Sequence, residues 1–280
     1  MLLALLLACS CSIFQPNSGS SNPGNNEASS QGKLDNISDI PYNGKEVQEP
    51  IVEPIKPKML AAADMLILPA GTTVPPEQMD YEIFNDYFVS VSIPDDIFEK
   101  IYGKSYIDNP FISIDELRYL KVLHYNFEHG IQIGEIIVNV KLADEFLEIF
   151  RELFELGYEI FSMYLVEDFW TGDTISTDDA TCFANNTSAF SFREVPETGN
   201  LSRHAFGMAI DINPVQNPYV EYYNGVPYWL DPNAAPYIDR SAGLDHMIGY
   251  GDDCYHAFMS RGYIWGGDWW FPKDYQHFEK

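Results

Sequence analysis

Hydrophobic periodicity is clearest between residues 140 and 156. Leu142, Phe146, Ile149, Phe150, Leu153 and Leu156 make one apolar stripe, and Glu145, Glu148, Glu152 and Glu155 take the other side. This predicts a helix over Val140–Leu156, with Asn139 as N-cap and Gly157 at the C′ position. Tyr158–Val166 is apolar on both faces and reads as a central strand. Upstream, Leu117, Leu120 and Leu123 recur at helix-like spacing within Ile112–Tyr125. A further helix is expected over Asp253–Arg261, opened by acidic residues and stopped at Gly262. From Gly207 the pattern alternates: Met208, Ile210 and Ile212 face one way, and Ala209, Asp211 and Asn213 the other. Helices and strands in mixed order, with short strands late in the chain, predict an α+β domain.

The N-terminal third lacks such patterns. Residues 12 to about 58 are Ser, Asn, Gly, Pro and Glu with scattered single hydrophobes, too little apolar surface to offset chain entropy. Residues 59–95 are ambiguous, because Pro75, Pro76 and Pro94 interrupt any long element. The expected organisation is a signal segment over 1–9, a mostly disordered acidic tether over 10–95 and a folded domain over 96–280.

The chain carries 42 acidic against 16 basic residues, a net charge of −26. A field of that sign repels phosphate backbones and argues against nucleic-acid binding. The four cysteines, Cys9, Cys11, Cys182 and Cys254, have no zinc-ribbon spacing. Cys182 and Cys254 would either pair in an exported protein or remain free. Met1–Ala8 is wholly apolar and runs into Leu6-Leu7-Ala8-Cys9, which resembles a bacterial lipobox. In that reading Cys9 becomes the lipid-bearing first residue, and the protein is expected on the extracellular face of the membrane, held only by its lipid. An export signal opens with Lys or Arg, so the natural start is expected upstream.

Candidate chemistry lies in Ser202-Arg-His204-Ala-Phe-Gly207-Met-Ala209-Ile-Asp211. Along a straight strand His204 and Asp211 would stand ~23 Å apart on opposite faces. They can share a metal only if the chain turns between them, and Gly207 permits that turn. Ser202-x-His204-x-x-Gly207-x-Ala209-x-Asp211 resembles the signature of the D-alanyl-D-alanine carboxypeptidase and L-alanyl-D-glutamate endopeptidase family, the VanY-like zinc peptidases. A second block agrees: Trp265-Gly-Gly-Asp-Trp269, then Asp274-Tyr-Gln-His277-Phe-Glu279, with Asn186–Phe190 and Arg193 upstream.

The resemblance implies a Hedgehog/DD-peptidase-like zinc scaffold, a small antiparallel sheet flanked by helices, with His204, Asp211 and His277 as Zn2+ ligands. It further implies Asp274 as the catalytic carboxylate and Arg193 as a substrate-facing cation. The implied substrates are peptidoglycan stem peptides, cut by a chain expected to act as a monomer. D-alanyl-D-alanine carboxypeptidase is the first expectation. L-alanyl-D-glutamate endopeptidase, a non-catalytic zinc-bearing module like the Hedgehog signalling domain, and an acidic solute-binding lipoprotein are the alternatives. Singly, each residue has a plainer role: Asp211 capping a turn, Asp274 as solvated loop charge, Arg193 paired with Glu194 or another acid. Trp269, Trp270 and Tyr275 would wall the cleft or pack in the core. His124, His129, His246 and His256 read as structural.

Overall fold

The computed structural model describes residues 57–280 apart from position 197. Helix α1 (Asp64–Ile67), strands β1 (Thr73–Val74) and β2 (Val89–Val91) and helix α2 (Asp95–Ile101) come first. Two long strands follow, β3 (Leu117–Tyr125) and β4 (Ile131–Asn139), then helices α3 (Ala143–Glu155) and α4 (Thr174–Phe183). Next come β5 (Ala209–Asp211), β6 (Tyr219–Tyr223), β7 (Val226–Tyr228) and helix α5 (Asp253–Met259). Strands β8 (Ile264–Trp265), β9 (Lys273–Asp274) and β10 (His277–Glu279) close the chain. The strands make small antiparallel sheets in the orders β1-β4-β3-β2, β5-β10-β8 and β7-β6-β9. This is the α+β class expected from the pattern.

Helix α3 follows its periodicity. Phe146, Ile149, Phe150 and Leu153 are buried against the main sheet and α5, each contributing about 1.5–3 kcal/mol of apolar burial. It ends as Gly157 allows: φ is 72° there, Gly157 N–H donates to Phe154 O, and Tyr158 N–H donates to Leu153 O. Its N-cap position is Leu142 rather than Asn139. Asn139 instead donates from Nδ2 to Phe206 O at 2.9 Å, a contact that matters for the site. Helix α5 has the expected start, with Asp252 accepting from the backbone N–H of Cys254 and Tyr255.

Two expectations are corrected. The leucine spacing in 117–125 belongs to a strand, β3, paired along its whole length with β4. Both faces of β3 are covered: Leu120, Val122 and Leu123 join the core under α3, and Leu117 and Tyr119 join a second cluster with Ile97 and Ile101 of α2. A strand buried on both sides has no alternation, so chance i, i+3 leucines imitate a helix. Tyr158–Val166 forms only isolated bridges, Tyr125 to Glu159 and Ser162 to Asn186. Several of its polar groups are met by side-chain amides: Asn213 accepts from Phe161 N–H and donates to Glu159 O, and Asn186 does the same for the N–H and C=O of Tyr164. Ile160, Ser162 and Met163 bond to backbone of three different segments. Amides standing in for a neighbouring strand leave no ladder.

The boundary at 96 is also corrected. Leu60, Met65, Val74, Met79, Tyr87 and Phe88 belong to the main core, and β1 and β2 are the outer strands of the main sheet. Tyr87 Oη donates to Leu60 O at 2.9 Å and ties this segment together. Elements of two to seven residues are too short for a readable period, which is why 59–95 looked irregular. The segment 1–9 and Cys9 lie outside the described residues. Cys182 and Cys254 are free thiols. Among the described residues no helix is long and apolar enough to cross a membrane.

A chain starting at residue 57 should therefore melt cooperatively, whereas one starting at 96 loses two strands and six buried side chains and should show no cooperative transition by circular dichroism. Equal midpoints for the two would restore the boundary to 96.

Candidate metal centre

His204 sits on a single 3-10 turn, Arg203–Phe206. Ser202 caps the turn by accepting from His204 N–H at 3.2 Å. Gly207 ends it at φ 64°, ψ 27°, a left-handed conformation that favours glycine. A side chain there would be blocked in any case, since a Cβ would lie 2.6 Å from Asn139 N. Asn139 clamps the turn to the end of β4, its N–H donating to Gly207 O at 2.8 Å and its Nδ2 to Phe206 O. The chain thus reverses between His204 and Asp211, as sharing a metal requires.

Strand β5 then carries Asp211 into antiparallel register with β10, where Asp211 faces His277 and Ala209 faces Glu279. On its other edge Asp211 exchanges backbone hydrogen bonds with Ser188, at 2.9 and 3.1 Å. Next to Ser188, the carbonyl of Ala189 contacts His204 Nδ1. That contact fixes the imidazole with Nδ1–H donating outward and Nε2 turned inward.

His204, Asp211 and His277 are all buried, and one potential ligand atom from each lies within 4.8 Å of the others. His204 Nε2 is 3.2 Å from His277 Nδ1 and 3.2 Å from Asp211 Oδ2, and His277 Nδ1 is 3.0 Å from Asp211 Oδ1. Donors about 2.0–2.1 Å from a tetrahedral zinc lie roughly 3.3 Å from one another. The spacing and the two-nitrogen, one-oxygen donor set fit such an ion. Burial opposes charge on Asp211, yet the His204 charge and hydrogen bonds from both imidazoles hold its carboxyl well below the usual range. Burial likewise opposes charge on His277, but hydrogen bonds to Asp211 and Glu279 outweigh it and push the imidazole up to about 10. A carboxylate gripping two imidazoles is a site built around positive charge.

Asp274 comes from β9, opposite Tyr219 of β6. Gly266 lets its backbone pass, because a Cβ on Gly266 would come within 2.4 Å of Asp274 O. Asp274 Oδ1 is buried without a hydrogen-bond partner. Burial, helped by the Asp211 and Asp178 charges and opposed by His277 and Arg193, raises this carboxyl to about 7. An orphaned, proton-retaining oxygen among charged site residues is suited to accept and return a proton.

Arg193 pairs through Nη2 with Asp178 of α4 at 2.8 Å, not with Glu194, and its Nε is buried without a partner. The Trp269 ring stands 5.2 Å from the His277 ring, whereas Trp270 is 97% exposed. Tyr275 turns away, stacked 4.4 Å beneath Arg240. Lys273 and Tyr275, the neighbours of Asp274 on the opposite face of the strand, line a cavity of about 650 Å3 with Arg240, Tyr250 and Trp265. None of the candidate site residues lines it.

Of the other histidines, His124 is buried with its Nδ1 at Tyr125 O, and His129 and His246 face Glu159. Two members of the site are invisible in the sequence, and a third, Glu279, appears there only as part of the second motif block. Ala189 acts through its carbonyl and Asp178 through a pairing across the fold, and neither leaves a signal in the chain. Glu279, 3.1 Å from His277 Nε2, was legible in principle, lying two residues on and on the same strand face.

A carboxyl whose value rises from 3.8 to about 7 on folding contributes stability that is lost as pH rises through that window. Protein stripped of metal should therefore lose stability between pH 4 and 7. Asp274→Asn should flatten that decline, as read by thermal melts across pH. A parallel decline in the variant would assign it to another group.

Residues 196–280 match the family model described as D-alanyl-D-alanine carboxypeptidase. Searches of curated proteins and of solved structures gave no match. The matched segment starts just after Arg193 and includes His204, Asp211, Asp274, His277 and Glu279. The C-terminal part of the chain, with the whole His204–Asp211–His277 group, is thus similar to the D-alanyl-D-alanine carboxypeptidase family.

Proposed function

We propose that the protein is a zinc-dependent peptidase acting on peptidoglycan stem peptides, in the first place as a D-alanyl-D-alanine carboxypeptidase, on a Hedgehog/DD-peptidase-like scaffold. The observation that carries this reading is the convergence of His204 Nε2, His277 Nδ1 and the Asp211 carboxylate at 3.0–3.2 Å within the family-matched segment. These three would hold the ion, which when bound supplies an acidified water and a polarised scissile carbonyl.

The remaining chemistry belongs to the chain's own groups. Asp274 Oδ1 takes a proton from the attacking water and returns it to the departing amine, the task its proton affinity near neutrality suits. Arg193, held by Asp178 but with Nε unpaired, steadies a developing oxyanion or the substrate's carboxylate. Trp269 covers one side of His277 and limits water there. A lipid on Cys9 would keep this activity at the outer face of the membrane, next to its substrate.

His204→Ala and His277→Ala should each abolish binding of the single zinc expected per chain, measured by metal analysis after dialysis. Full occupancy in either would remove that residue from the ligand set. Asp274→Asn should keep zinc and fold while turnover falls by about 10² to 10⁴, in kcat rather than KM. Loss of zinc from that variant would make Asp274 a ligand instead. Defined pentapeptide muropeptides, analysed by mass, provide the assay: loss of one terminal alanine supports the carboxypeptidase, and release beyond the first alanine the endopeptidase.

A further inference from the structure

The two imidazoles of the site turn different nitrogens inward. His204 offers Nε2, because its Nδ1 is taken by the Ala189 carbonyl. His277 offers Nδ1 to Asp211 and His204, and its Nε2, across the ring, lies 3.1 Å from Glu279 Oε2. A neutral imidazole carries its proton on one nitrogen only, and the partner of that N–H decides which nitrogen remains for a metal. For His204 the partner is a fixed backbone carbonyl. For His277 it is a side chain that the fold has to deliver.

The strand register makes this delivery possible. Glu279 and His277 are two apart on β10, so their side chains leave the same face. Ala209, directly across from Glu279 on β5, is fully buried. Cross-strand neighbours stand only about 4.5–5.5 Å apart at Cβ, so a larger residue at 209 would compete with Glu279 for the space beside His277. The small residue of the 202–211 motif thereby acquires a physical role.

We propose that Glu279 is a positioning residue: by accepting the Nε2–H of His277 it fixes the tautomer that presents Nδ1 to the metal. This rests on the metal reading of the His204–Asp211–His277 group. Glu279 lies behind the ring, away from the converging ligand atoms, and belongs neither to the ligand set nor to the proton-transfer step assigned to Asp274. An outer carboxylate on a ligating histidine also raises its basicity, and removing such a partner costs about 10–100-fold in metal affinity.

The test measures zinc affinity by chelator competition in wild type, Glu279→Ala and Glu279→Gln, with the ring nitrogens of His277 followed by 15N spectra of the zinc-loaded proteins. Glu279→Ala should bind zinc about 10–100-fold more weakly, with one zinc per chain at saturation and a shifted or exchange-broadened Nε2–H signal. Glu279→Gln keeps an acceptor and should recover most of the affinity and a sharp Nε2–H. Wild-type affinity in Glu279→Ala overturns the proposal, whatever its turnover. So does equal damage by Ala and Gln, which would show that charge and not the hydrogen bond is what matters. Wild-type protein that binds no zinc would instead remove the metal reading itself.

Discussion

Pairing of β5 with β10 places Asp211 opposite His277 and Ala209 opposite Glu279, and the site depends on that register more than on any single contact. A slip of one residue would turn every side chain to the other face, putting Ile210 and Phe278 where the polar groups now meet. The apolar side of the same strands prevents the slip. Ile210, Ile212 and Phe278 are completely buried in the core beneath α3 and α5, and Phe278 stacks on Phe258 at 4.5 Å. Hydrophobic packing on one face therefore sets the geometry of the candidate ligands on the other. Behind β5, Ser188 continues the pairing and Ala189 reaches His204, so a short sheet and one turn assemble the whole group.

Electrostatics works against the fold before it works for it. The chain has a net charge of −26, yet it buries Asp211 and Asp274 near one another. Each carboxylate is managed differently. Asp211 is gripped by two imidazoles and stays ionised, whereas Asp274 has no hydrogen-bond partner at Oδ1 and retains its proton to about 7. Two carboxylates driven apart in this way fit the separate duties proposed for them, one binding charge and the other moving a proton. Elsewhere a buried acid is matched: Lys121 of β3 lies 3.5 Å from Glu135 of β4, with Lys100 at 3.6 Å. That cross-strand cluster is a structural pairing, whereas Asp274 keeps one buried oxygen without a hydrogen-bond partner.

Where the pattern misled, the reason was context. Both faces of β3 are covered, so its leucines carried no information about period. The extended run 158–166 shares its hydrogen bonds between scattered backbone partners, such as Tyr125, Glu135 and Thr187, and the amides of Asn186 and Asn213, the amides lying 22 to 54 residues away in sequence. In 59–95 the elements are short, and their order comes from docking onto the edges of β4 and β3.

The sequence by itself determined helix α3 and its glycine stop, the alternation that turns Asp211 away from the core, the turn at Gly207 and the identities of the candidate ligands. Those features are local: a period, a cap, a left-handed glycine and a motif are all written within a few residues. The tertiary structure alone decided which nitrogen of each imidazole faces inward, that Arg193 pairs with Asp178, and that Glu279 backs His277. It also decided that Asp274 has no hydrogen-bond partner at Oδ1. These depend on how the folded chain aims its side chains, whether the partners lie 66 and 73 residues apart, as Asp211 and His204 do from His277, or only two, as Glu279 does. Composition and spacing do not encode the direction of a side chain's neighbours, because those neighbours exist only once the core has closed.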